Sequence, residues 1–439
     1  MTALEPRYLD VYLHNQHLGW LCEAGRNTRF VASEAYQSGA YRPTLSLSLT
    51  IPGNEELTQE ILRNQFDPAL YSEQGVLPPF FAGLLPEGEL RKRLAATRRD
   101  PRDRDDFGLL AAAGEDLPGA VKVLPANLDN LTPAARAYGV TGGADNLEIG
   151  VPERAAEGAA SLSGQQNKLA LSTVRGGKRF ALPMKGQLSD LVAKLPVPGD
   201  DSQVFNEYAA MSLASRAGVN TAVCRPLPVT QIALPELVAL LGDGLHFLAV
   251  DRYDRTPSGA VHVEDACQAM TLQAHQKYAR RNLYVRLLRV LDRLSVRGVE
   301  DVRQFFIRHA VNTLVGNSDA HLRNFSFIYH NGVNPELSPA YDIVCVSALP
   351  GFAGYATNVA IDKLQREETI DTYRQMALDA GISPKIAVAA VKSAVEQAQA
   401  TWGPLLDELN APVPVASVVR ERLRTLPLAN AWRATSPKK

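Results

Sequence analysis

Hydrophobic and polar positions alternate from the first residues onward. Leu9, Val11 and Leu13 fall two apart, Asn15 offers a turn, and Leu18 to Leu21 returns, the pattern of a β-hairpin. Leu45, Leu47 and Leu49 alternate with Ser46 and Ser48, which predicts a half-buried strand. From Leu84 to Leu110 the spacing becomes helical and charged, and the run from Pro118 to Val123 reads as a closing strand. Residues 126–160 are rich in Gly, Ala, Asn and Pro with weak periodicity, the composition of a connecting segment. Short strands are predicted again at Lys168–Leu171, Phe180–Pro183, Leu191–Leu195 and Phe247–Val250. Between the last two, Phe205, Tyr208, Met211, Leu213 and Ala214 recur at helical spacing and Gly218 marks the stop. Beyond Asp265 helices dominate: Asn282–Leu294, Val302–Val315 and Lys385–Gln399, the last opened by Ser383 and Pro384. The pattern implies an α+β protein, with a β-rich part followed by a helix-rich part and a cleft between two lobes.

Composition narrows the class without changing that picture. The 439 residues are 46% hydrophobic and 21% charged, an ordinary folded chain with room for two or three domains. A net charge of -1 leaves no global field to draw the molecule onto nucleic acid or an anionic membrane, so a polyanion contact needs a local patch. Cys22, Cys224, Cys267 and Cys345 lie far apart with no C-x-x-C pair, which suggests neither a zinc cluster nor a disulfide framework. Met1 to Pro6 lacks the basic and apolar regions of a signal peptide, and apolar runs such as Ile232 to Leu241 fall short of the roughly 20 residues a bilayer needs. A cytoplasmic location and no membrane partner are expected.

The chemistry concentrates in Gly316-Asn317-Ser318-Asp319-Ala320-His321-Leu322-Arg323-Asn324-Phe325, between an apolar helix and a short strand. An Asp and an Asn five apart on such a loop have the spacing of a kinase catalytic loop, in which the Asp accepts a hydroxyl proton and the Asn holds Mg²⁺. After Phe325 to Tyr329 and an Asn331-Gly332 turn, Asp342 is expected on a returning strand, beside Asn324, where hard oxygens suit Mg²⁺. Taken singly, Asp319 reads as a turn cap and Asp342 as a strand end. Upstream, Ser161 to Lys168 suits a phosphate-covering turn, Lys194 a strand lysine that meets ATP phosphates, and Glu207 its partner on the next helix. Judged alone, Lys194 reads as a snorkelling strand-end lysine and Glu207 as a solvated helix residue. Because Lys194 need not be core, its removal is expected to spare folding. Asp251 to Asp254 is the candidate hinge between lobes. Asp106-Phe107-Gly108 spells a kinase D-F-G but precedes every other element, and reads as a turn and helix start.

These residues, in order along nearly the whole chain, resemble the HipA family of bacterial serine/threonine kinase toxins. The resemblance is carried by Phe80 to Gly88, Gly114 to Val121, Ser161 to Lys168, Lys194-Leu195-Pro196, Asn206-Glu207, Asp254, the Asp319 to Asn324 loop and Tyr341-Asp342. It implies a bilobal protein-kinase-like fold with a β-rich subdomain at 1–125, an N-lobe at 126–254 and a helical C-lobe at 255–439. It implies ATP and Mg²⁺ as cofactors, Asp319 as the base, and Asn324 and Asp342 as metal ligands. Nucleotide contacts would come from Gly164, Gln165, Lys168, Lys194, Glu207, His321 and, at the ribose, Asp254. The resemblance further implies a helix-turn-helix antitoxin, operator DNA reached only through it, and an aminoacyl-tRNA synthetase as protein substrate. Autophosphorylation would fall on Ser161 or Ser163, and Asn167 stands where an acidic residue or Pro is usual. A small-molecule kinase of the aminoglycoside type and a non-catalytic corepressor are the competing readings.

Overall fold

The computed structural model describes residues 6–39, 41–139, 167–174, 176–184, 186–278 and 281–432. The predicted hairpin opens an antiparallel sheet of β1 (Arg7–Leu13), β2 (Gln16–Ala24), β3 (Asn27–Ala32), β4 (Tyr71–Ser72) and β5 (Val121–Pro125), in the order β4-β3-β2-β1-β5. Leu9 pairs with Leu21 on one side and Pro125 on the other. Leu9, Val11, Leu13, Leu21 and Phe30 face the helices Pro79–Gly83 and Asp106–Ala113, which bring in Phe80, Phe81 and Phe107. The alternate residues Tyr8, Trp20, Cys22 and Val31 are covered by Ala126, Leu131 and Ala135. Residues 126–139 are therefore not the loose connection that composition suggested. They form a 3₁₀ turn at Leu128–Asn130 and a helix at Pro133–Gly139 that seal the second face of the sheet.

The strand expected at Leu45–Leu49 is absent. The Ser46 carbonyl accepts from the N–H groups of Leu49 and Thr50, and the Ser46 and Ser48 hydroxyls lie 2.7 Å apart, so local bonds displace a ladder. The alternation has another cause: Leu45 and Leu49 enter the core of the first sheet, whereas Leu47 enters that of the helical lobe.

A second antiparallel sheet consists of β6 (Lys168–Thr173), β7 (Phe180–Ala181), β8 (Leu191–Lys194), β9 (Cys224–Pro228) and β10 (His246–Asp251), in the order β7-β6-β8-β10-β9. The helix Ser202–Arg216 contacts β9 and β10, with Val204, Glu207, Ala210, Met211, Leu213 and Ala214 buried. A hairpin of β11 (Arg255–Thr256) and β12 (Gly259–Ala260) leads to a three-stranded sheet, β13 (His262–Asp265), β14 (Ser326–Tyr329) and β15 (Glu336–Leu337), at the base of the helical lobe. In that lobe Val299–Val315 is buried for nearly its whole length by Arg281–Leu294, Pro384–Glu408 and Val413–Thr425. The architecture is mixed α/β and bilobal, with an additional β-rich subdomain at the start. Among the described residues no helix is long and apolar enough to cross a membrane, and all four cysteines are free thiols.

The subdomain is bolted to the lobes by charge. Arg252 donates to Asp116 (3.1 Å), to both oxygens of Asp254 (3.0 and 2.8 Å) and to the Leu117 carbonyl (3.1 Å), and Arg255 repeats the pattern. Gly119 adds its N–H to Asp254 at 2.7 Å. With φ +76° and a would-be Cβ 2.6 Å from the Val263 nitrogen, only glycine fits there. Burial alone would raise the Asp254 carboxyl, but Arg252 and Arg255 reverse this and bring it down from 3.8 to about 2.

Arg252→Ala leaves two buried carboxylates short of their main partner and should cost about 3–5 kcal/mol in denaturant unfolding. In the wild type the depressed Asp254 carboxyl stabilises fully above its unfolded value near 3.8, and that contribution is lost as the pH falls to about 2. In the variant this acid limb should shrink, with Arg255 and Gly119 alone holding the carboxylate, which a pH series of unfolding curves would reveal.

Candidate functional site

Strand pairing sets the site. Lys168 of β6 lies directly opposite Lys194 of β8, and Lys194 is in turn opposite Leu248 of β10. Like charges facing across a ladder repel, so this register holds only where anions intervene. Two do: Lys194 Nζ donates to Glu207 Oε1 on the helix Ser202–Arg216 and to Asp342 Oδ1 from the helical lobe, and Lys168 Nζ stands 3.8 Å from the same Asp342 oxygen. Burial pulls the Lys194 ammonium down, yet its two carboxylates more than reverse this, and it sits above the usual lysine value. At Lys168 burial wins and lowers it. Burial raises Glu207. It would raise Asp342 too, but Lys168 and Lys194 hold that carboxyl well below the usual range.

Asp342 is not on the returning strand that was expected. The strand β15 ends at Leu337, and Asp342 follows in irregular chain with φ +60°, a left-handed conformation uncommon for a residue with a side chain. Its neighbour fixes it there: the Tyr341 hydroxyl donates to the Arg323 carbonyl at 2.8 Å and lies 2.5 Å from Ser326 Oγ. Such strain persists only where the surroundings over-determine it.

The loop itself starts where Val299–Val315 stops at left-handed Gly316. Asn317 shapes the turn, with Oδ1 accepting the Asp319 N–H at 3.2 Å and Nδ2 donating to Asn312 at 3.0 Å. A single 3₁₀ turn, Leu322–Asn324, then brings Asn324 Nδ2 within 3.1 Å of the Asp319 carbonyl. That spends the amide nitrogen and leaves the amide oxygen as a hard donor. Asp319 Oδ1 accepts from Tyr278 at 3.0 Å, and burial raises its carboxyl. His321 is buried, which lowers it to about 4 and keeps it neutral, and its Nδ1 has no partner. Arg323 donates to Asp265 (3.0 Å), to Gly83 O (2.8 Å) and to Glu87.

Between sheet and loop lies a cleft lined by Lys168, Lys194, His321, Asn324 and Asp342 beside the apolar Val192 and Val250. The donor set fits a Mg²⁺–nucleotide: hard oxygens of Asn324 and Asp342 for the metal, and the ammonium groups of Lys168 and Lys194 for phosphates. Among the described residues no cluster of three or more His, Cys, Asp or Glu would hold a metal by itself. Mg²⁺ does not need one, because it keeps waters and shares phosphate oxygens. Of the residues singled out from sequence, Asp254 also lines the cleft, but both its oxygens are engaged by Arg252, Arg255 and Gly119. Ser161, Ser163, Gly164 and Gln165 lie outside the described residues. Tyr278, which bonds Asp319, belongs to no motif and was not foreseen, and neither was the ion pair between Arg323 and Glu87.

A sheet lysine locked to a helix glutamate above a loop that offers Asp and Asn five apart is the arrangement of the bilobal, protein-kinase-like folds. Within that class the chain belongs to the HipA family. The family model for the HipA N-terminal domain matches residues 9–124 and that for the HipA-like C-terminal domain matches 160–402. The putative kinase Y4dM of Sinorhizobium fredii is 34% identical over 435 residues, 96% of this chain and 97% of that one. A second S. fredii protein, the putative kinase Y4mE, is 30% identical over 69% of this chain and 73% of its own. Among solved structures, Shewanella oneidensis HipA, in complex with HipB and its operator DNA, shares the fold with a TM-score of 0.62 over 96% of this chain and 97% of that one, at 19% identity.

Lys194 is 4% exposed, which overturns the expectation that it can be removed without cost to folding. Lys194→Met strands Glu207 and should destabilise by about 3–5 kcal/mol. The loss should be larger at pH 8 than at pH 5, since Glu207, already raised by burial, then folds best with its proton on. Thermal unfolding at the two pH values checks this, and adding Glu207→Gln should recover part of the loss.

Proposed function

We propose that this protein is an ATP- and Mg²⁺-dependent kinase that phosphorylates serine or threonine of a protein, and that it acts as the toxin of a toxin–antitoxin pair. The observation that carries this reading is the buried Lys194, joined at once to Glu207 of its own lobe and Asp342 of the other. In this reading Lys194, with Lys168 beside it, receives the nucleotide phosphates. Asn324 and Asp342 would supply oxygen ligands to Mg²⁺, which would offset the charge of the phosphates. Asp319 takes the proton of the acceptor hydroxyl. Neutral His321, with an unpartnered Nδ1 at the cleft wall, offers the nucleotide a hydrogen bond. Asp254, spent on two guanidinium groups, is left to the junction rather than to a ribose.

The names of the S. fredii relatives as putative kinases support the activity. The S. oneidensis assembly of HipA, HipB and operator DNA supports a helix-turn-helix antitoxin as partner, with DNA reached through it. An aminoacyl-tRNA synthetase is the proposed substrate, and Ser161 or Ser163 the proposed autophosphorylation site. A phosphate there adds about -1.5 to -2 charge, and the proposed modification shuts the kinase off.

Radiolabel transfer from ATP·Mg²⁺ tests the chemistry. Asp319→Asn and Asp342→Asn should each lose on the order of 10² or more in rate, and near-wild-type transfer in both would overturn the assignment. Peptide mass spectrometry after the same incubation should find phosphate on Ser161 or Ser163 in the wild type and not in Asp319→Asn. Phosphate equally present in that variant would mean another kinase had placed it.

A further inference from the structure

The carboxylate assigned as the base is held by a segment that no motif marks. Tyr278 OH donates to Asp319 Oδ1 at 3.0 Å, and its ring stands edge-on to His321, with centroids 5.6 Å apart at 80°. One residue earlier the Lys277 carbonyl accepts the Leu322 N–H at 2.9 Å, so this segment grips the loop both before and after His321. The same segment is anchored at its far end, where Gln273 Nε2 donates to Leu77 O at 3.1 Å in the amino-terminal subdomain.

We propose that Tyr278 is a positioning residue for Asp319, its phenol fixing the plane of the carboxylate toward the acceptor hydroxyl. The inference rests on the kinase reading above. In the reaction the hydroxyl oxygen bonds to the γ-phosphorus, the bond from that phosphorus to the bridging oxygen of ADP breaks, and the hydroxyl proton passes to Asp319. A carboxylate offers about four lone-pair positions. Tyr278 occupies one and restricts rotation of the group, leaving others for the proton. Unrestrained, the carboxylate would meet the hydroxyl in fewer productive orientations, which lowers turnover without touching nucleotide affinity. The hydrogen bond is to a charged acceptor but partly exposed, with Tyr278 37% accessible, so a moderate effect is expected.

Tyr278→Phe keeps the ring against His321 and removes only the hydroxyl. It should lower kcat about ten-fold while KM for ATP stays within about two-fold, with an unchanged melting temperature. In an Asp319→Asn background the same change should cost nothing further, because the group it positions is gone. Full activity in Tyr278→Phe beside a crippled Asp319→Asn, or an equal additional loss in the double variant, would overturn the assignment of Tyr278 and leave the kinase reading standing. A wild type that transfers no phosphate, or a fully active Asp319→Asn, would overturn both.

Discussion

One buried ammonium group organises this protein. Taking a charge out of water is costly unless it is paired, and Lys194 meets that demand with carboxylates from two different parts of the chain. Each partner must be delivered by its own element. The helix Ser202–Arg216 brings Glu207, and the adjacent Asn206 stitches that helix to the segment after Asp342, accepting from the Cys345 N–H at 2.9 Å and donating to its carbonyl at 3.1 Å. Asp342 therefore arrives beside Lys194 in a left-handed backbone that neighbouring bonds hold in place. The register that sets Lys168 opposite Lys194 becomes tolerable for the same reason.

The amino-terminal subdomain belongs to this arrangement rather than standing beside it. Arg323, next to Asn324, is gripped by Asp265 of its own lobe and by Glu87 and the Gly83 carbonyl of the subdomain. A second tie runs through Glu264, which accepts from Ser46 (2.5 Å), from the Leu47 N–H (2.8 Å) and from Tyr329; burial holds its carboxyl near 7 against those donors. The loop that offers Asp319 and Asn324 is thus held through Arg323 both from its own lobe and from the amino-terminal subdomain. Preorganisation of this kind is what a phosphoryl-transfer site requires, because positioning and electrostatics supply most of the catalysis.

Much of this was legible in the residues. Alternation of Leu9, Val11 and Leu13 marked the first hairpin, short apolar runs marked the strands at Lys168, Leu191 and Phe247, and helical spacing marked most of Ser202–Arg216 and of Val299–Val315, the former with Gly218 as its stop, because such periods follow directly from backbone geometry. Lys194, Glu207, Asp319, Asn324 and Asp342 were visible as residue types in a telling order. Alternation misled at Leu45–Leu49, where the leucines divide between two cores, a fact no local window contains. The charge pairs were equally hidden: a glutamate on a helix reads as solvated until the fold places a lysine against it.

What the sequence by itself determined, then, is local: which stretches extend, which coil, and which chemical groups are available in which order. Only the tertiary structure decided that Lys194 is core rather than surface, that Asp254 is consumed by Arg252 and Arg255, and that Tyr278 reaches Asp319. Those outcomes depend on contacts between residues separated by tens to hundreds of positions, such as Lys194 with Asp342 and Glu87 with Arg323. Periodicity and propensity act over a turn or a strand, whereas the energy of a buried charge is set by whatever the rest of the chain brings within a few ångströms of it.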